Sequence, residues 1–271
     1  MVQPTSQKSP LLTPARTLLG IGTAGSALGL VILGVSILLR LTTVFANDGH
    51  PVSTLPAAIE NAVRLLHRLA ASGVALLALW ATVLCWMRRP LVAGAVMPTA
   101  WIVAATVLLA AIGPLTTGYR FTAVTVANVV AGTVLLMSFW WLRESLAATP
   151  TRRHARDPLL IPALLVFLAH VGLGAAASAL SVRGIRWLAF VHMGSAVLVI
   201  VFVGALLWAR CGRAPLTRLA GVMTLLLAAQ AALGLALMAA DPRPLWLGFA
   251  HAMLSPLLAA GLVSVAVRDS T

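Results

Sequence analysis

The stretch Ile-Glu-Asn-Ala-Val-Arg-Leu-Leu-His-Arg-Leu at residues 59–69 places a histidine and an arginine side by side where a long apolar run begins. Histidine is uncommon where hydrocarbon begins, because its polar ring needs a partner there, so His67 and Arg68 mark a candidate functional site. Two later apolar runs carry His192 and His251 in a similar position. The sequence therefore indicates a scaffold that holds several imidazoles.

The composition around this stretch is that of an integral membrane protein. Of the 271 residues, 61% are hydrophobic and 9% are charged, and the mean hydropathy is +1.00. Soluble domains have about 25% charged residues. The net charge of +13 does not indicate nucleic-acid binding, because the basic residues lie in short segments between apolar runs, where they set orientation. We therefore expect the lipid bilayer as the environment.

Eight apolar runs are long enough to span a bilayer, which takes about 20 residues. They cover residues 17–39, 65–87, 95–117, 121–142, 159–181, 187–209, 217–240 and 245–267. Of the 19 lysines and arginines, twelve lie at the two ends of the chain and in the loops of one side, and seven lie in the alternate loops. Because the more basic side stays in the cytoplasm, the sequence predicts a multi-pass protein of the inner (plasma) membrane with both termini cytoplasmic.

The spacing of the polar residues predicts one layer and a duplication. His67 lies at the start of the second run, His192 about five residues into the sixth, and His251 about six residues into the eighth. At about 1.5 Å per residue, the last two lie about 8–10 Å below the outer surface. His67 precedes His192 by 125 residues, and Asn128 precedes His251 by 123. This repeat predicts an all-α fold of two homologous four-helix bundles, over residues 1–145 and 146–271.

The imidazoles have a functional and a structural interpretation. Two neutral imidazoles that face each other inside a helix bundle are a common way to hold haem iron, so His192 and His251 are predicted to form a bis-histidine site. His67 can supply a single ligand in the first half, opposite Asn128. Each histidine alone could instead make a helix–helix hydrogen bond, but three at equivalent depths favour haem. Zinc is less favoured, because no carboxylate or thiolate accompanies the rings.

Three further polar positions have a structural interpretation, and one of them, Glu60, also has a functional one. Glu60, Arg64 and His67 lie at i, i+4 and i+7 and so share one helical face. Glu60 is therefore either an acid–base group above a haem edge or the salt-bridge partner of Arg64. His170 and Gln230, near mid-membrane, each precede a glycine by four residues, a spacing that favours close helix packing.

Together these residues resemble the heme A synthase family. The matching residues, in chain order, are Leu39–Thr42, His67, Arg68, His192, Gln230–Gly234 and His251. The resemblance covers nearly the whole chain. It implies eight helices in two homologous halves, with histidines on the even-numbered helices near the outer face.

The resemblance also implies an oxidoreductase. In that family haem b is bound between the two second-half histidines, and a methyl group of haem O is oxidised to a formyl group at the first-half site, giving haem A for terminal oxidases. A haem O synthase is then the expected haem donor and a terminal oxidase the recipient, and a homo-oligomer is left open. The predicted site comprises Glu60 and His67 as catalytic residues, His67, His192 and His251 as metal ligands, and Arg68 and Asn128 as further cofactor-binding residues.

Two other function classes remain as alternatives. A non-catalytic haem-binding protein of oxidase assembly is favoured by Arg64, where the family has glutamate, and by Asn128, where it has histidine. A transporter is the third interpretation, because internal repeats and polar residues near mid-membrane also mark transporters. The position of the histidine layer near the outer face argues against a transporter.

Overall fold

The structure is a computed structural model that describes residues 12–47, 56–88, 92–115, 122–147, 158–181, 185, 187–212, 216–240 and 244–269. Within these ranges the chain forms eight α-helices, each long and apolar enough to cross a membrane. They are α1 (Leu12–Asn47), α2 (Ala57–Met87), α3 (Ala93–Ile112), α4 (Thr122–Ala147), α5 (Leu160–Ser181), α6 (Trp187–Trp208), α7 (Leu216–Ala239) and α8 (Leu245–Asp269). The predicted all-α class with eight spanning helices is confirmed.

The outer surface of the helices is apolar, as a bilayer requires. Trp86 and Trp208 are exposed at the C-terminal ends of α2 and α6, and Trp187 and Trp246 are exposed at the N-terminal ends of α6 and α8. Tryptophans at both ends of spanning helices are typical of the two membrane–water interfaces. Exposed leucines and valines cover much of α2, α3, α6 and α7 between these ends. The chain is therefore a multi-pass membrane protein.

Each half of the chain packs around its own apolar core. Helices α1 to α4 form a closed bundle, in which each helix contacts the next and α4 contacts α1. Helices α5 to α8 pack in the same order, but α5 and α8 hardly touch each other. The first core contains Val74, Ile102 and Phe139, and the second contains Phe167 and Met223. The homology of the two halves stays a prediction.

The close approach of α1 to α4 depends on glycine. A Cβ on Gly25 would lie 2.2 Å from Cδ1 of Phe139, and one on Gly22 would lie 2.8 Å from the backbone nitrogen of Arg143. Phe139 is fully buried. Because small residues at a helix interface let backbones approach closely in membranes, the first bundle closes by direct packing of α1 on α4.

Helices α4 and α8 connect the two halves near their C-terminal ends. The indole Nε1 of Trp140 donates to Oγ of Ser264 at 2.7 Å. Nε of Arg268 donates to Oε2 of Glu144 at 2.9 Å, and the Glu144 side chain, 3% exposed, also pairs with Arg143. The predicted boundary at residues 145–146 falls in the last turn of α4, and most of the polar linker that follows lies outside the described residues.

The predicted start of the second helix was wrong. The helix begins at Ala57 rather than near residue 65, because the residues before the apolar run include three alanines, Glu60 and Arg64, which are good helix formers. Glu60 and Arg64 also form an i,i+4 ion pair there, which stabilises a helix. His67 consequently lies three turns into α2 rather than at its beginning.

Candidate functional site

Three imidazoles from three helices of the second half lie together and are called the histidine cluster below: His170 of α5, His192 of α6 and His251 of α8. The rings of His170 and His192 are stacked, with centroids 4.1 Å apart and planes 16° apart. The centroid of His251 lies 6.4 Å from that of His192, with the planes at 87°. Residues of α5 and α8, which hardly touch directly, thus both lie beside the ring of His192.

Two glycines leave the space that these rings occupy. A Cβ on Gly174 of α5 would lie 2.8 Å from Cε1 of His192, closer than real Cβ atoms come. A Cβ on Gly234 of α7 would lie 3.1 Å from Cε1 of His251. The predicted packing role of these glycines, one turn after His170 and Gln230, is confirmed. What packs against each glycine is the imidazole of a neighbouring helix.

Helix α7 orients the ring of His251. Its Nδ1 lies 3.2 Å from the backbone carbonyl oxygen of Gln230. A carbonyl only accepts hydrogen bonds, so Nδ1 carries the proton and Nε2 of the neutral ring keeps its lone pair. Metal-binding histidines typically donate their other ring nitrogen to a carbonyl in this way. The contact therefore leaves Nε2 of His251 as the ring nitrogen that could bind a ligand.

Ser195 orients the ring of His170. The hydroxyl of Ser195 donates to the backbone carbonyl of His192 at 2.7 Å and lies 2.7 Å from Nδ1 of His170. A serine hydroxyl has a single proton, which this carbonyl accepts, so Nδ1 of His170 is the donor in the second contact. His170 is 6% exposed, and its neutral ring also keeps a lone pair on Nε2.

Two buried polar atoms at the cluster have no hydrogen-bond partner among the residues that the structure describes. They are Nδ1 of His192 and Oε1 of Gln230; Nε2 of Gln230 donates to Oγ of Ser255 at 3.1 Å. Leaving such an atom unpaired costs about 1–3 kcal/mol. Unsatisfied buried groups are rare in native proteins and are often found where a ligand or a water binds.

The spacing of the His192 and His251 rings, which lie edge to face, is compatible with two ligands of one iron. Within the described residues, no group of three or more histidine, cysteine, aspartate or glutamate side chains is arranged to hold a metal ion. A haem iron needs only two imidazole nitrogens that face each other. Each such nitrogen lies about 2 Å from the metal, as in zinc–imidazole bonds, so the two ring centroids must lie on the order of 6 Å apart. The separation of His192 and His251 is 6.4 Å.

His67 of the first half has simpler surroundings. Its Nδ1 lies 3.4 Å from Oγ of Ser36 on α1, and the residue is half-buried. Asn128 is half-buried on α4, and Arg68 is exposed on α2. In the described part of the chain no hydrogen bond joins either of them to His67. Their predicted roles in cofactor binding stay predictions.

Glu60 lies in an ion pair with Arg64. Nη2 of Arg64 lies 2.6 Å from Oε1 of Glu60, and Nε lies 2.9 Å from the same oxygen. The side chains are 50% and 41% exposed, Arg64 and Glu60 respectively. The salt-bridge interpretation of Glu60 is confirmed, whereas its acid–base role stays a prediction.

Sequence reasoning missed the place of His170 in the cluster. The residue count from the helix ends predicts a membrane depth near the middle for His170 and near the outer face for His192. His170 lies eleven residues before the end of α5, whereas Ser195 and His192 lie eight and five residues after the start of α6. A residue count from the helix ends therefore does not bring His170 and His192 to the same level, and only the placed helices show the pair.

Comparison with known proteins found no protein-family model and no curated protein that matches the chain. The resemblance to heme A synthases therefore rests on the residues themselves.

Proposed function

We propose that this chain is a membrane oxidoreductase of the heme A synthase type, which would hold haem b between His192 and His251 and oxidise a methyl group of haem O beside His67 to a formyl group. The step needs dioxygen as the oxidant and four electrons and four protons, with the electrons entering at haem b from an external donor; each methyl group converted consumes two dioxygen molecules and releases three water molecules. The observation that carries the proposal is the geometry of the second-half pair. The two rings are 6.4 Å apart and perpendicular, and Nδ1 of His251 donates to a backbone carbonyl.

The residues of the second half would orient the bound group and exclude water. Haem b, when bound, supplies one-electron chemistry. His251 is oriented by the backbone carbonyl of Gln230. The rings come from helices whose other residues are mostly apolar, which would limit the access of water to a bound haem.

The first half supplies the substrate site in this proposal. His67 would be its ligand for haem O, and Oγ of Ser36 on α1 lies 3.4 Å from Nδ1 of this ring. A hydroxyl can donate or accept, so Ser36 is compatible with either tautomer of His67. The proposal also includes the plasma membrane with cytoplasmic termini, a haem O synthase as the haem donor and a terminal oxidase as the recipient.

The test is haem analysis of cells that co-express this chain with a haem O synthase. Chromatography of the extracted haems is expected to show haem A for the wild type and none for His67→Ala. Leu66→Ala is the matched control, because Leu66 is 47% exposed on the same turn of α2 and is expected to leave haem A unchanged.

A non-catalytic haem-binding protein of oxidase assembly is the second candidate. The Glu60–Arg64 ion pair favours it, because two nitrogens of Arg64 already bond Oε1 of the carboxylate that would have to act as the acid–base group. A haem b spectrum without haem A, both in the wild type and in Arg64→Ala, would support this candidate. Absence of any haem from the purified chain would overturn both candidates and favour the transporter interpretation.

A further inference from the structure

His170 has no assigned part in the proposed haem site, although it is buried within the histidine cluster. We infer that His170 is a positioning residue that fixes the plane of the His192 ring, and with it the angle between the two imidazoles of the haem b site. The inference rests on the proposed function, which it deepens by naming what controls the geometry of the two ligands.

The ring of His192 is held by α5 at a face and at an edge. The ring of His170 covers one face at 4.1 Å. The backbone at Gly174, one turn further along α5, lies so close to Cε1 that a Cβ there would be 2.8 Å away. The ring of His192 therefore cannot turn about its Cβ–Cγ bond without displacing His170 or α5.

The ring of His170 is itself held by the helix that carries His192. Ser195 lies nearly one turn after His192 on α6, donates to its backbone carbonyl and accepts from Nδ1 of His170. The contacts thus form a closed loop from the His192 ring to the His170 ring, to the Ser195 hydroxyl and back to the His192 backbone. If the His170 side chain served packing alone, its hydrogen bond to the Ser195 hydroxyl would not be needed.

The angle between two axial imidazoles has a spectroscopic consequence. Orientation of the axial ligands is one of the means by which a protein tunes haem iron. In low-spin ferric haem, perpendicular imidazole planes give a strongly anisotropic electron paramagnetic resonance signal, whereas nearly parallel planes give a rhombic signal with a smaller largest g value. Because the planes of His192 and His251 are 87° apart, we expect the strongly anisotropic signal.

The experiment is electron paramagnetic resonance of the purified, haem-loaded full chain in the ferric state. His170→Ala removes the stacked ring, and its largest g value is expected to fall or to split into several species. His170→Phe keeps a ring but loses the donor, and Ser195→Ala keeps both rings but loses the bridging hydroxyl. Each of these two is expected to give a smaller shift in the same direction.

Ser138→Ala is the matched control. Ser138 is a buried serine, and its hydroxyl, like that of Ser195, donates at 2.7 Å to a backbone carbonyl of its own helix, that of Val134. Its loss removes a hydroxyl of the same kind but away from the histidine cluster. We expect the spectrum of this variant to equal that of the wild type.

Three outcomes would overturn the inference. A rhombic signal in the wild type would contradict the perpendicular geometry. An unchanged spectrum in haem-loaded His170→Phe and Ser195→Ala would show that His170 only packs, even if His170→Ala fails to fold. Retention of haem by His192→Ala together with its loss from His170→Ala would make His170 the ligand. Wild-type protein without any haem would instead overturn the proposed function itself.

Discussion

In each half of the chain a glycine lies beside a bulky side chain, but the two contacts differ in how the helices pack. In the first half Gly25 lies against Phe139, and α1 packs directly on α4. In the second half Gly174 lies against the ring of His192, and the corresponding helices, α5 and α8, hardly touch. The histidine cluster thus lies in the half whose first and last helices hardly touch directly, and rings from both of these helices lie beside the ring of His192.

The helix contacts at the histidine cluster and the α1–α4 interface also differ in the polarity of their side chains. The cluster brings His170, Ser195 and Gln230 into hydrogen bonds that join α5 to α6 and α7 to α8. At the α1–α4 interface, by contrast, Gly25 and Gly29 meet the apolar side chains of Phe139 and Leu136. A polar group in a membrane needs a partner, and a ligand could pair the two buried atoms of the cluster, Nδ1 of His192 and Oε1 of Gln230.

The largest effect on stability is expected from closing the space at Gly25. Gly25→Ala puts a methyl group 2.2 Å from the ring of fully buried Phe139, and overpacking of this kind costs about 1–3 kcal/mol. Gly20→Ala, on the same helix with nothing within 4 Å of its Cβ position, is expected to be neutral or to stabilise by up to about 1 kcal/mol. Denaturation in detergent compares the two. Equal unfolding free energies would refute direct α1–α4 packing.

The corresponding change in the second half, Gly174→Ala, is expected to affect haem affinity rather than the free energy of unfolding. Gly174→Ala displaces the ring of His192, so we expect haem affinity to fall about tenfold, or about 1.4 kcal/mol. Gly194→Ala, with open space at its Cβ position, serves as the control and should bind haem normally. Titration of the apoprotein with haem measures both affinities. A Gly174→Ala protein with wild-type affinity would mean that the ring is free to move away.

A smaller effect on the free energy of unfolding is expected at the contact between α4 and α8. Ser264→Ala removes the acceptor of the Trp140 indole, and the loss of one such hydrogen bond costs about 1 kcal/mol. Ser138→Ala, which removes a hydroxyl bonded within its own helix, should cost less. Thermal unfolding of the two variants in detergent makes the comparison, and a larger loss for Ser138→Ala would argue against this bond between α4 and α8.

The smallest effect is expected at the start of α2. Arg64→Ala breaks an ion pair whose side chains are 50% and 41% exposed, and exposed pairs contribute about 0–1 kcal/mol. Glu60→Gln should have a similarly small effect on the unfolding free energy. A double-mutant cycle of the two positions measures the coupling, and a value well above about 1 kcal/mol would mean that the pair is part of a buried network.

The membrane-spanning segments could be predicted from the sequence, because the length of an apolar run determines where a helix can cross a bilayer. The fifth run, predicted at 159–181, forms Leu160–Ser181, and the sixth, predicted at 187–209, forms Trp187–Trp208. Hydropathy does not report where a helix ends outside the hydrocarbon. The first helix therefore extends to Leu12–Asn47 instead of 17–39.

The site could be predicted only in part. The polar spacing identified His192 and His251 as a candidate pair, but the ring angles depend on side-chain rotamers that no residue count contains. The proton positions of His170 and His251 follow from the partners of their Nδ1 atoms. Those partners, Ser195 and a backbone carbonyl, become visible only when the helices are placed beside one another.

The most direct test of the central claim, that the second half holds haem b, is the haem content of four purified chains. Reduced-minus-oxidised spectra of the wild type and of His67→Ala are expected to show a low-spin haem b, because His67 lies in the first half. His192→Ala and His251→Ala should each lose it. Haem retained at the wild-type level in both of these variants, or lost from His67→Ala, would contradict the assignment of haem b to the histidine cluster.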